Sequence, residues 1–275
     1  MAINTDKNSY TILFAIGMVI IVGTLLAAID SSLKQRIETN KILEKQQNIL
    51  YAIGMNNNEG NSVSFVSTDQ APSLFDKYIV SQIYIQDDKI VEDDEAYLIE
   101  VKKEKTLAKD PTYDRRLPLF IAEKDSVRYY VAPIRGKGLW DAIWAYIAMD
   151  ENMTILGAYF DHKGETPGLG ANINQRFFMD DFIGEKLLDS NGNFGGIKVS
   201  KSNLDPRNED KDDHEVDAIA GSTITGDGVS AMIKNENDIM HYKKYLQRKK
   251  DGIPGSNSNN RKGRLNCLSF KLFME

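Results

Sequence analysis

The sequence predicts an α+β protein: an N-terminal single transmembrane helix, then a mixed, mainly antiparallel sheet domain with flanking helices. Three observations carry this expectation. An uncharged run of 19 residues, Thr11 to Ile29, stands near the start of the chain. Two apolar stretches, IWAYIAMD and MTILGAYFD, are joined across Asp150–Asn152 as the arms of a hairpin would be. Helix-like and strand-like segments follow one another without a repeating βαβ order, which points away from a parallel doubly wound sheet.

At about 1.5 Å per residue the first run is roughly 29 Å long, close to the ~30 Å hydrocarbon thickness of a bilayer. It exceeds the 7–15 apolar residues usual in a cleaved signal peptide, and only Lys7 provides positive charge before it. The segment is therefore expected to remain as an anchor. Lys34, Arg36, Lys41 and Lys45 follow the span, so the positive-inside count alone leans towards a cytoplasmic body.

Residues 31–52 read as a polar helix continuing from the span, with Leu33, Ile37, Ile42, Leu43, Ile49 and Leu50 as a partial apolar stripe and Gly54 placed to stop it. MNNNEGNS is a loop. SQIYIQ and AYLIEVKK have the look of short strands, separated by an acidic patch from Glu92 to Glu95. RYYVAPI alternates as a strand does. NQRFFMDDFIGEKLL has helical spacing of Phe177, Phe178, Phe182, Ile183 and Leu187. Residues 198–217 read as a long acidic loop, and a final helix is expected over about 227–247, carrying Val229, Met232, Ile233 and Met240. The resulting division is a tail (1–10), the span (11–29), a helical connector with the first part of the soluble region (30–125), a main domain (126–247) and a polar, basic tail expected to be disordered (248–275).

A net charge of −6 argues against a nucleic-acid binder, which would present a basic face. The single cysteine, Cys267, excludes an intrachain disulfide and any cysteine-ligated zinc or iron–sulfur centre built by this chain alone. No phosphate-binding glycine loop, zinc pattern or nucleophile elbow is present, and neither catalytic nor metal-ligating residues are expected.

Three segments have the composition of a binding site. In Gly136-Lys137-Gly138-Leu139-Trp140, glycines beside a tryptophan let backbone approach a flat ligand that Leu139 and Trp140 can cover; the plainer reading is a turn leading into a buried aromatic. His162-Lys163-Gly164-Glu165-Thr166-Pro167-Gly168-Leu169-Gly170 has a fixed backbone course, and Glu165 and Thr166 can bond a polar heterocycle edge; otherwise it is a structural turn. In Asp217-Ala218-Ile219-Ala220-Gly221-Ser222-Thr223-Ile224-Thr225, a hydroxyl stands just ahead of a helix, where a phosphate would meet unpaired N-terminal amides or where Ser and Thr simply cap.

Taken in order, GKGLWDA, a hairpin, GETPGLG, an acidic loop and D-x-x-x-G-S-T followed by I-T resemble the FMN-binding domain of the C subunit of the Na+-translocating NADH:quinone reductase. The span followed by QNILYAIG resembles the front end of that protein. The GETPGLG and threonine segments are shared with the G subunit of Rnf ferredoxin:NAD+ oxidoreductases, the runner-up, whereas GKGLWDA favours the quinone reductase. A non-redox anchored scaffold, with the threonine segment a mere cap, is the reading from a different class.

The resemblance implies a covalent-FMN electron carrier, with no independent activity, in a complex that uses NADH, quinone and Na+. It implies that a flavin transferase, using FAD and Mg2+, places FMN on the last threonine of a D-x-x-S-G-A-T signature, here Thr223. Ala220 and Ser222 exchange the usual serine and alanine of that signature, which puts Ser222 beside the acceptor, and Thr225 is a third candidate. Asp217 and Gly221 fall to transferase recognition. Leu139, Trp140 and Leu169 would cover the ring, Glu165 and Thr166 would bond its polar edge, and Gly168 shapes the loop. The resemblance further implies an inner-membrane protein with its soluble domain on the periplasmic side, against the lysine and arginine count, and partners among the other subunits of a membrane complex.

Overall fold

A computed structural model describes residues 8–202 and 208–250. Helix α1 runs unbroken over Asn8–Ala52, so the apolar run and the polar stripe after it form one rod roughly 68 Å long. The rod is long and apolar enough to cross a membrane, and its apolar side chains from Ile12 to Ile29 are exposed. Burial starts only at Gln46, where the helix reaches the sheet. Gly54 ends it as expected: φ is +73°, the Gly54 amide donates to the Tyr51 carbonyl (2.9 Å), and the Met55 amide donates to that of Leu50 (2.9 Å). That pair of bonds is a Schellman closure, which needs a left-handed residue where glycine stands.

After α2 (Ala71–Tyr78) come β1 (Ile79–Gln86), β2 (Lys89–Glu92), α3 (Val101–Leu107), β3 (Leu117–Lys124), β4 (Val127–Lys137), β5 (Ala142–Met149) and β6 (Ile155–His162). They form a six-stranded, wholly antiparallel sheet in the order β2-β1-β3-β4-β5-β6, joining strands on both sides of residue 125. Two tight turns take positive φ at both central residues, Asp87–Asp88 and Asp125–Ser126, the twist that suits a two-residue hairpin. At the β5–β6 turn, Asp150 Oδ1 accepts from the amides of Asn152 and Thr154, both at 2.8 Å.

The two sheet faces are covered by different parts of the chain. Gly136 on β4 faces Met232, whereas Gly157 on β6 lies against the Ala52 carbonyl; a Cβ there would come within 2.3 Å of it, so glycine lets α1 dock. Register places these two glycines on opposite faces. On the α1 side, Tyr51, Phe65 and Tyr159 pack with centroids 5.4 Å apart. On the other, Phe160, Phe178 and Phe182 form a second aromatic cluster.

Several elements differ from the sequence expectation. AYLIEVKK is a 3-10 turn (Ala96–Leu98) followed by α3, not a strand. Ala96 turns into the core, and just past the segment α3 buries Glu104, which accepts from Arg116 and Tyr113. NQRFFMDDFIGEKLL is not one helix but short turns, 3-10 (Gly170–Asn174), α4 (Arg176–Met179) and 3-10 (Asp180–Phe182), stopped by Gly184 at φ +92°. The acidic segment holds two short strands, β7 (Lys198–Val199) and β8 (Glu215–Val216), paired in parallel. The final helix is two: α5 (Thr223–Ile233) and α6 (Glu236–Lys250). The side chain of Met240 and residues 251–275 of the expected tail lie outside the described residues. Tyr242 fastens α6 to the sheet through a buried hydrogen bond from its hydroxyl to the Pro118 carbonyl (3.0 Å).

Candidate functional site

All three glycine-bearing segments meet at one end of the sheet. GKGLW is the turn after β4, the HKGETPGLG loop leaves β6 beside it, and α5 starts against both. The close approach is backbone on backbone: a Cβ on Gly228 would lie 2.3 Å from the Lys137 carbonyl. Lys163 Nζ and Asp141 Oδ2 lace the two loops together at 2.7 Å.

Glu165 is the hub. It is 4% exposed, although Glu is among the residues least often buried. Its Oε1 accepts from the amides of Trp140 (3.0 Å) and Asp141 (3.4 Å), and its Oε2 accepts from the hydroxyl of Thr225 (2.6 Å). Burial works to raise its pKa, but these donors together with the Leu139 amide outweigh burial and hold it below the usual carboxylate range. The carboxylate thus ties the tryptophan turn, the glycine loop and α5 to one another. Gly138 and Gly170 flank it, and a Cβ on either would come within 2.7 Å of a carboxylate oxygen. Both oxygens are engaged inside the protein. The backbone of Glu165 is fixed as well, its amide donating to His162 Nδ1 at 3.1 Å.

The three hydroxyls near the α5 start differ sharply in access. Ser222, at the N-cap, is 6% exposed and its Oγ has no hydrogen-bond partner; Thr225 is 2% exposed and spent on Glu165. Thr223 is exposed. Gly221 precedes it at φ +71°, with space for a Cβ taken by Leu169 Cδ2 at 2.8 Å. The amides of this first helical turn have no partner within the helix, and the Ser222 side chain does not cap them.

Around Thr223 the surface is apolar. Trp140 is 68% exposed, Leu139 43%, Leu169 40% and Ile224 58%. Trp140 keeps its orientation by donating from Nε1 to Thr166 Oγ1 at 3.1 Å. Gly168 sits at φ +76° and the Leu169 and Ala171 amides both donate to the Thr166 carbonyl (3.1 Å each), so the loop is closed on itself. Asp217 stands apart, after β8, its amide donating to Asp181 Oδ2 (2.7 Å).

This arrangement fits FMN. An exposed indole and three exposed aliphatic side chains offer apolar surface for a flat ring, the helix-start amides of α5 offer donors for a phosphate, and Thr223 is exposed at that helix start. Gly170, Gly228 and the Asp141–Lys163 pair lie at the same junction; the sequence segments contain Gly170, Asp141 and Lys163, but nothing in their local pattern gave them an individual role. The alternation of glycine with functional residues was the available signal, since glycine in such a loop marks close backbone approach.

Comparison with known proteins agrees with the geometry. The family model described as FMN-binding domain matches residues 138–236. The C subunit of the Na(+)-translocating NADH-quinone reductase of Vibrio anguillarum is 27% identical over 92% of this chain and 99% of its own. That of Pseudomonas aeruginosa is 26% identical over 94% and 98%. Among solved structures, the crystal structure of the same component from Parabacteroides distasonis superposes with a TM-score of 0.64 at 32% identity, covering 78% of this chain and 96% of that one. Shewanella oneidensis NqrC gives a TM-score of 0.61 at 25% identity, covering 76% and 98%. An antiparallel sheet with an FMN-binding segment, preceded by a membrane-length helix and matched over nearly the whole length of these relatives, identifies the chain as a member of the NqrC family, the C subunits of the Na(+)-translocating NADH-quinone reductases.

Proposed function

We propose that the chain is the flavin-carrying C subunit of such a complex, with FMN esterified through its phosphate to the Thr223 hydroxyl, relaying electrons between redox centres of partner subunits. The observation that carries this reading is the difference in access among Ser222, Thr223 and Thr225: only the middle hydroxyl faces solvent, where a flavin transferase can reach it.

The residues then have separable tasks. Helix-start amides of α5 hold the phosphate. Leu139, Trp140 and Leu169, with Ile224 beside them, exclude water from the ring face, and Thr166 orients the indole. Glu165 positions the platform against α5 and stays ionised, so its contribution to the flavin is a fixed negative charge rather than a direct bond to the ring edge. The isoalloxazine, when bound, supplies one-electron redox chemistry, and the protein supplies place and tuning. A tether keeps the effective flavin concentration at the site high. Asp217 and Gly221 are read by the transferase, which in a Mg2+-dependent step breaks the pyrophosphate bond of FAD, forms the phosphoester to the Thr223 oxygen in place of its proton, and releases AMP.

The helix-anchored domain is assigned to the periplasmic side of the inner membrane, because attachment requires a transferase acting there; large domains translocate against a modest charge bias. A reporter fused after residue 247 tests this, and activity confined to the cytoplasm would overturn the orientation. Attachment itself is tested by in-gel flavin fluorescence of the denatured protein made with the transferase. Fluorescence is expected for the natural sequence and absent in Thr223→Val; a colourless natural protein would leave only a structural scaffold.

A further inference from the structure

A cleft of about 540 Å³ opens on the opposite face of the sheet from α5, between the part of α1 from Glu38 to Asn48, residues 97–102 and the strands β4 and β5. Its volume lies within the ~300–1,000 Å³ of small-molecule sites. The Arg135 guanidinium lies over the Trp144 ring, 5.4 Å from its centroid. Among the described residues no carboxylate pairs with Arg135 within ion-pair distance. Burial pushes its pKa down, opposed only by the more distant charge of Asp141. A second cation, Lys45 on α1, reaches the Leu98 carbonyl at 3.4 Å and is likewise held below its ordinary range by burial, which outweighs the charges of Glu100, Glu38 and Glu44. Three carboxylates also line the cleft: Glu38 is taken up by Lys41 at 2.9 Å, and the charges of Glu44 and Glu100 act on Lys45 rather than on Arg135.

A half-buried guanidinium without a counter-charge is costly, and its planar fork matches a carboxylate or phosphate. The wall around it is apolar, with Ile42, Ile99 and Tyr146 continuing the surface of Trp144. We propose that this cleft binds an anionic amphiphile, its carboxylate or phosphate head on Arg135 with Lys45 beside it, and its apolar body on Trp144, Tyr146, Ile42 and Ile99. A neutral apolar ligand would leave the guanidinium uncompensated, and a cation would gain nothing from it. The mouth begins at Glu38, nine residues beyond Ile29, about 14 Å along the helix from the end of the apolar run. At that depth the amphiphile is either a soluble acid or an anionic lipid drawn from the adjacent leaflet. Because the cleft and α5 lie on opposite faces of the sheet, binding here is independent of whether Thr223 carries FMN.

The test uses the full chain in phosphatidylcholine nanodiscs, in a Trp140→Phe background that leaves Trp144 as the single tryptophan of the two in the sequence. Octanoate is expected to change Trp144 emission saturably, and octanol to leave it unchanged. Arg135→Gln should weaken octanoate by about tenfold and Lys45→Met by about threefold, the scale of one charge-assisted bond and one nearby charge. If phosphatidylglycerol in the nanodisc produces the same emission change without octanoate, the membrane is the source, which supports the site. Equal responses to octanoate and octanol would overturn the proposal without recourse to any variant. So would an unchanged affinity in folded Arg135→Gln, or no response to either octanoate or phosphatidylglycerol.

Discussion

The hydroxyl of Thr225 donates to the carboxylate of Glu165 across 2.6 Å, joining residues 60 positions apart, and both side chains are buried. That bond decides which of the neighbouring hydroxyls remain available, because it removes Thr225 from the surface and fixes the angle at which α5 presents Thr223. It also makes Glu165 a structural charge.

Glu165→Gln should therefore loosen the site and cost stability in a pH-dependent way. The folded carboxyl sits below its ordinary value of 4.5 because its donors outweigh burial. Its stabilisation is fully present above about pH 4.5 and is lost as pH falls through the folded value. The variant is expected to lose about 2–3 kcal/mol at pH 7, the scale of hydrogen bonds to a buried charge, with the gap to the natural protein narrowing below pH 4.5. Denaturant titrations at pH 7 and below pH 4 check this; a pH-independent gap would contradict it.

Two glycines of the same region should respond oppositely. A Cβ on Gly228 meets the Lys137 carbonyl at 2.3 Å, and backbone there has no free end to move, so Gly228→Ala should cost about 2–3 kcal/mol. Gly164 has nothing within 4 Å of a built Cβ, and Gly164→Ala should fall within about 0.5 kcal/mol of the natural chain. Thermal unfolding of the pair separates close approach from general loop flexibility.

Trp140 and Thr166 hold each other through the indole N–H at 3.1 Å. Trp140→Ala, and more weakly Thr166→Ala, should shift the flavin potential while leaving attachment intact. Redox titration beside in-gel fluorescence reads both properties, and an unchanged potential in both variants would remove these residues from the ring environment.

Glu185 behaves in the opposite sense to Glu165. It is fully buried, its oxygens have no hydrogen bond of ordinary geometry among the described residues, and the nearby Asn208 and Lys211, the latter at 3.6 Å, offset its burial only in part. Burial pushes its pKa up to about 7. The unfolded chain releases this proton near pH 4.5 and the folded one near 7, so stability declines between those values and then levels off. Glu185→Gln should stabilise the protein at pH 8 by up to about 3 kcal/mol and give no gain below pH 4.5, as measured by melting temperature across that range.

The legible parts of the fold were those with an unmistakable period. The uncharged run, the Gly54 stop and the β5–β6 hairpin all follow from local spacing. Strand β3 did not stand out, because its first six residues, Leu117 to Ala122, are all buried and the alternation that marks a strand is lost. The phenylalanines of NQRFFMDDF mimic one long helix because Phe178 of α4 and Phe182 of the next 3-10 turn both turn towards Phe160, a demand that short turns satisfy equally well. At the site, the three segments could be picked out by glycine content. Their convergence could not, since it depends on Glu165 reaching Thr225, a partner that no local pattern specifies. For the same reason the sequence, which favours Thr223 through its place in the signature, leaves Ser222 and Thr225 standing as competing hydroxyls, whereas folding buries both.

Peptide mapping of the protein, purified from cells that make the transferase and assemble the complex, bears on the Thr223 ester without intermediary. Trypsin releases residues 212–234, which carry Ser222, Thr223 and Thr225 on one peptide. Fragmentation is expected to place a single FMN phosphoester on Thr223. An unmodified peptide, or an ester located on Ser222 or Thr225, would contradict the assignment.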